Sequence, residues 1–149
     1  MDRRDPKICG WRERVDLPDW GVTNIRAKID TGARTSAIHV AEVQDLPDGR
    51  IRFEVVLHEK PAHEGVWVTA EPVREATVKP SSGKRQRRPV VRTTMLMGGV
   101  SREIEISLVC RKGMLCRMLV GRRSLEGDFV VDPARRYLVS TKPKRKDAR

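Results

Sequence analysis

Ala27-Lys28-Ile29-Asp30-Thr31-Gly32-Ala33-Arg34-Thr35-Ser36-Ala37 decides how the rest of the chain is read. Val22, Ile25, Ala27 and Ile29 supply an apolar strand that ends in Asp-Thr-Gly. Glycine adopts backbone conformations that other residues resist, so the tripeptide sets a carboxylate at the mouth of a tight turn. Ala37-Ile38-His39-Val40 reads as the outgoing strand, which makes strand, turn and strand one unit. A carboxylate held at such a turn is placed for acid/base chemistry. His39 reads as a hydrogen-bonded structural residue, because no metal partner lies at ligand spacing.

Outward from this unit the chain reads as short strands bounded by Gly and Pro. Residues 10–18 form a strand closed by Pro18, with Trp11 and Leu17 as core anchors. After the turn Pro47-Asp48-Gly49, Ile51, Phe53, Val55 and Leu57 alternate with Arg52, Glu54, Val56 and His58, the period of a half-buried strand. Val66-Trp67-Val68 is its hairpin partner. His58 and His63 invite a zinc reading, but they stand five apart with Pro61 between them, which breaks the helix a His-x-x-x-His pair needs. Residues 76–79 and 89–96 read as two strands joined by Pro80–Arg88, and Ile104, Ile106 and Leu108 as the inward face of another. Met118-Leu119-Val120-Gly121 leads into a short helix over residues 122–126, followed by strands at 129–133 and 137–139.

The bulk properties fit one domain with a real core, with a disordered lead-in over residues 1–9, the domain over 10–140 and a basic tail over 141–149. Thirty-one Lys and Arg against 20 Asp and Glu give a net charge of +11, which attracts polyanions such as nucleic acid, ribosomes or acidic peptides. Part of the excess lies in the tail and part in Lys84-Arg85-Gln86-Arg87-Arg88. Cys9, Cys110 and Cys116 make an odd set without Cys-x-x-Cys spacing, against a disulfide framework or a structural zinc site. With no secretory h-region and no apolar run long enough to span a bilayer, the expected location is the cytoplasm.

Asp30-Thr31-Gly32-Ala33-x-Thr35-Ser36 resembles the active-site segment of retropepsin-like aspartic peptidases, and Leu119-Val120-Gly121-Arg122 resembles the strand that passes beside the Asp turn in those folds. Taken with Ser81-Ser82-Gly83 and Val131-Asp132-Pro133, these motifs are similar to a bacterial family labelled ATP-dependent zinc proteases, associated with RimK/LysX and RimB-like. The resemblance spans about Gly10 to Leu138. It implies a mainly β, closed-barrel acid-protease fold with one short helix, and a catalytic Asp30 supported by Thr31 and Gly32. It also implies a flap between the strands at 76–79 and 89–96, and a glutamate-rich substrate such as a glutamylated ribosomal protein tail, linked to a glutamate ligase. No phosphate loop and no credible zinc set accompany the label, so the residues support neither ATP nor a metal, and no cofactor is expected.

Arg34, Arg92, Arg122 and the flap residues Ser81, Ser82, Gly83 and Lys84 are the expected substrate contacts, since guanidinium forks pair bidentately with carboxylates. Arg34 and Arg122 have a second reading, as braces of the turn through backbone carbonyls. Aspartic peptidase chemistry needs two carboxylates around one water, and the chain has one Asp-Thr-Gly, so the second comes from another copy in a C2 homodimer. Asp132 is a weaker candidate for a second acid in cis, lacking the Thr-Gly turn. The alternative function is a catalytically silent basic module that binds ribosome, RNA or acidic protein tails, although few aromatics are present for base stacking.

Overall fold

Period-2 patterning builds most of the molecule. In Arg12–Leu17 (β2, after β1 at Lys7–Gly10), Glu13, Val15 and Leu17 point inward and the intervening residues are half-exposed. A 3-10 turn at Pro18–Trp20 then seats Trp20 edge-on against Phe53, with ring centroids 5.3 Å apart. The computed structural model describes residues 5–58, 62–78, 86–110 and 116–140. The loop around Pro61, Ser81–Arg85, Arg111–Gly113 and the basic tail lie outside the described residues, as do the first four positions.

The further strands are β3 (Val22–Asp30), β4 (Ser36–Asp45), β5 (Ile51–His58), β6 (Glu64–Ala70), β7 (Arg74–Val78), β8 (Gln86–Met97), β9 (Val100–Val109), β10 (Met118–Gly121) and β11 (Phe129–Asp132). Neighbouring pairs run β10-β3-β2-β8-β9-β4, and β10 also pairs with β4, so six strands close into a barrel. The expected mainly β closed barrel is therefore present. Its interior is filled by Val15, Leu17, Ile38, Met95, Ile106, Met118 and Val120, among others. The β4 strand serves two sheets: Ser36–His39 pair with β9 in parallel, whereas Val40–Asp45 leave to pair with β5 across a register shift. β6 extends that sheet, and β7 pairs with β8 as the hairpin expected on either side of the basic loop.

Four expectations change. The short helix is a single 3-10 turn, Arg122–Ser124, in which Leu125 N–H bonds Arg122 O at 3.0 Å. Lys7–Cys9, expected within the lead-in, pair in parallel with Phe129–Val131. Tyr137–Val139 form no strand: the N–H groups of Leu138, Val139 and Ser140 converge on the carboxylate of Glu13 at 2.9 to 3.4 Å, joined by Gly10 N–H at 2.7 Å and the Ser140 hydroxyl. The alternation of β2 buries Glu13 completely, and a buried carboxylate must collect donors. It collects them from the chain end. Trp11, expected in the core, is half-buried and carries the Arg12 guanidinium over its ring at 4.7 Å.

Candidate active site

Asp30 ends β3 and is half-buried. Its Oδ1 accepts the Gly32 N–H at 2.9 Å, and its backbone carbonyl accepts the Ala33 N–H at 3.2 Å, which closes the turn. Among the described residues Oδ2 has no partner, so one carboxylate oxygen is fixed and the other is left for chemistry. Thr31 and Gly32 are exposed at the tip.

What holds the turn is the strand threaded beneath it. β10 lies between β3 and β4, with Gly121 opposite Asp30, so the loop from β3 to β4 must cross the end of β10. At that crossing a Cβ on Gly121 would stand 2.7 Å from the carbonyl carbon of Thr35 and 2.9 Å from Ala33 O. Only glycine fits. Arg122 N–H donates to Ala33 O at 2.8 Å and Arg123 N–H to Arg34 O at 3.2 Å. Below them the buried Ser36 hydroxyl accepts the Gly121 N–H at 3.0 Å and meets the Ser124 hydroxyl at 2.7 Å. Ser36 stood in the Asp-Thr-Gly motif without a role and Ser124 was absent from the sequence-derived site, since a hydroxyl pair so distant in the chain leaves no spacing signal.

The expected substrate contacts separate. Arg122 Nη1 reaches the carbonyls of Thr31 and Gly32 at 3.5 and 3.4 Å, which places it as a brace of the turn. Arg34 is exposed on the loop after the turn and lines a cavity of about 540 Å³ together with Thr35, Glu103 and Arg123. Arg92 sits on the outer face of β8, with Nη2 3.8 Å from Glu105 Oε2, and is not among the residues that line this cavity. Ser81, Ser82, Gly83 and Lys84 lie outside the described residues. Asp132 accepts the Ala134 N–H at 2.9 Å and faces Arg135, and it pairs in register with Gly10 rather than with the Asp30 turn.

Among the described residues no group of three His, Cys, Asp or Glu side chains is gathered as a metal site, and no helix is long and apolar enough to cross a membrane. His63 Nε2 lies 2.9 Å from Glu54 Oε2 across the β5–β6 pair, and His39 is buried in β4 with its N–H on Arg117 O at 2.9 Å.

The profile of the retropepsin-like aspartic endopeptidase RimB, of the RimB-like family, matches residues 8–142, a span that takes in all six strands of the barrel. The chain belongs to the RimB-like family. Relatives described as probable alpha-L-glutamate ligases share 30% identity over 138 residues in Shewanella pealeana and 35% over 131 residues in Parasynechococcus marenigrum. The alignments cover 91% and 85% of this chain but 30% and 28% of those relatives, so this RimB-like chain spans less than a third of their length. The crystal structure of a Legionella pneumophila protein of unknown function (DUF785) has the same fold, with a TM-score of 0.73 and 25% identity over 91% of this chain and all of that one.

Proposed function

We propose that this RimB-like chain is an aspartic peptidase that works as a C2 homodimer, with one Asp30 from each copy, and that it cuts acidic or oligoglutamate peptides. The observation that carries the reading is the rigid Asp30 turn, with one oxygen pinned by Gly32 and its loop locked over Gly121. In the proposed reaction one carboxylate takes a proton from water as it attacks the peptide carbonyl. The other carboxylic acid donates its proton to the carbonyl oxygen; as the resulting gem-diol collapses, the amine leaves with the proton that the first carboxyl took from water and the second carboxylate recovers a proton from a gem-diol hydroxyl. The acidic substrate is supported by the excess of 31 basic over 20 acidic residues and by relatives described as glutamate ligases, whose product chemistry a peptidase of this kind would reverse.

Replacing Asp30 by Asn keeps size and hydrogen bonding and removes the base. The expected result, read by mass spectrometry of a synthetic oligoglutamate peptide, is loss of turnover by at least about a thousandfold with folding and dimerisation unchanged. Asp30→Asn chains mixed into wild type should lower activity more than in proportion to their share, because each mixed dimer is dead. Undiminished cleavage by Asp30→Asn refutes the aspartic mechanism.

The second reading is a binding module without turnover. It draws on the same coverage: a segment spanning 30% of a glutamate ligase's length can serve that enzyme by holding its acidic product. Tight oligoglutamate binding by wild type, with no cleavage over the full pH range, favours it.

A further inference from the structure

The cavity of about 540 Å³ beside the Asp30 turn is lined by charges of both signs. Arg34 comes from the loop after the turn, Arg123 from the 3-10 turn, Glu103 and Glu105 from β9, and Glu126 from just beyond the 3-10 turn. Glu105 is already matched: Arg74 Nη2 and Nε both lie 3.2 Å from its Oε1, and Arg92 approaches its other oxygen. Arg34, Arg123, Glu103 and Glu126 differ. Their side chains make no ion pair and no hydrogen bond with any described residue, although they share one cavity.

The backbone fixes where each of these four exposed side chains starts. Arg123 N–H is bonded to Arg34 O, so the two guanidiniums spring from adjacent, tied segments, while Glu103 is fixed opposite Thr94 in the β8–β9 ladder. Buried Ile104 and Ser124 complete the wall. A purely anionic ligand would meet Glu103 and Glu126 as like charges, and a purely cationic one would meet Arg34 and Arg123. A ligand that carries an ammonium and a carboxylate a few bonds apart satisfies both.

We infer that this cavity binds the free amino-terminal glutamate of a short acidic peptide, its side-chain carboxylate on Arg34 and Arg123 and its ammonium on Glu103 and Glu126. The inference rests on the peptidase reading only for its meaning. Hydrolysis within an oligoglutamate creates such an end on the released fragment, so the cavity reads a chain end rather than a chain interior.

Binding can be measured without turnover by titrating the full Asp30→Asn chain calorimetrically with L-glutamyl-L-glutamate and with its N-acetyl derivative. The free-amine peptide should bind at least about tenfold more tightly, since acetylation removes the charge that Glu103 and Glu126 would hold. Glu103→Gln with Glu126→Gln should abolish that preference, and Arg123→Gln should weaken both peptides. Should the double variant fail to fold, Glu126→Gln alone, on an exposed turn, should reduce the preference. Equal affinity for the two peptides, no binding of either, or a preference that survives the Gln substitutions overturns the inference. Because binding is read in a chain without its base, these results stand apart from the peptidase reading, which fails if wild type does not cleave or if Asp30→Asn still does.

Discussion

Gly121 shows how little room the Asp30 turn has. Its missing side chain is where the backbone of Ala33 and Thr35 passes, and backbone cannot swing aside as a flexible side chain can. Gly121→Ala should therefore destabilise the protein by about 2–4 kcal/mol, read as a lower urea midpoint, and lower activity beyond what stability alone explains. Wild-type stability and turnover in that variant would show that the crossing is looser than the geometry says. Asp30 and Gly121 were legible in the sequence because each belongs to a short motif. The Ser36–Ser124 hydroxyl pair was not, because it forms only when the barrel closes. Arg122 was visible as a residue of interest, yet its two roles could be separated only by seeing its guanidinium on the carbonyls of Thr31 and Gly32.

Among the elements, β5 and β9 were legible because buried and more exposed residues alternate over Ile51–Val55 and Glu103–Ile106, which writes the period into the sequence, whereas beyond Val55 a register shift buries Val56 and leaves the expected inward Leu57 half-buried. The expected strand at Tyr137–Val139 failed for a local reason: its N–H groups turn to one carboxylate instead of to a neighbouring strand. The expected short helix is present but reduced to one 3-10 turn, Arg122–Ser124, before Gly127, at φ 87°, redirects the chain. The same N-terminal elements predict an alkaline limb. Burial, with the Glu13 carboxylate nearby, raises the Cys9 thiol from 9.0 to about 11. The fold thus favours the protonated thiol, so its contribution is complete below pH 9 and is lost as pH rises toward 11. Two units correspond to at most about 3 kcal/mol. Urea midpoints should fall over that range, and Cys9→Ala, although less stable at neutral pH, should show a shallower fall. An identical slope in the two proteins would assign the alkaline limb to other groups.

For the whole molecule, a net charge of +11 makes association with an acidic peptide a long-range matter. Cleavage of oligoglutamate should weaken steeply with salt, because exposed attraction is screened within about 10 Å at 0.1 M. Arg34→Ala should weaken cleavage at low salt and matter less at high salt. Equal, salt-insensitive cleavage of neutral and acidic peptides would remove charge reading while leaving the Asp30 assignment intact. The threading of β10 between β3 and β4 also bears on the order of events in synthesis. The Asp30 turn is made before its brace, since Arg122 is 90 residues further along the chain than Gly32. A nascent chain therefore carries its Asp-Thr-Gly unsupported until almost the entire barrel has been made, and closing so long a loop is a slow, late step of folding. The Asp30 turn is therefore braced only after β10 has been made and threaded, so the topology itself ties the order of the site to closure of the barrel.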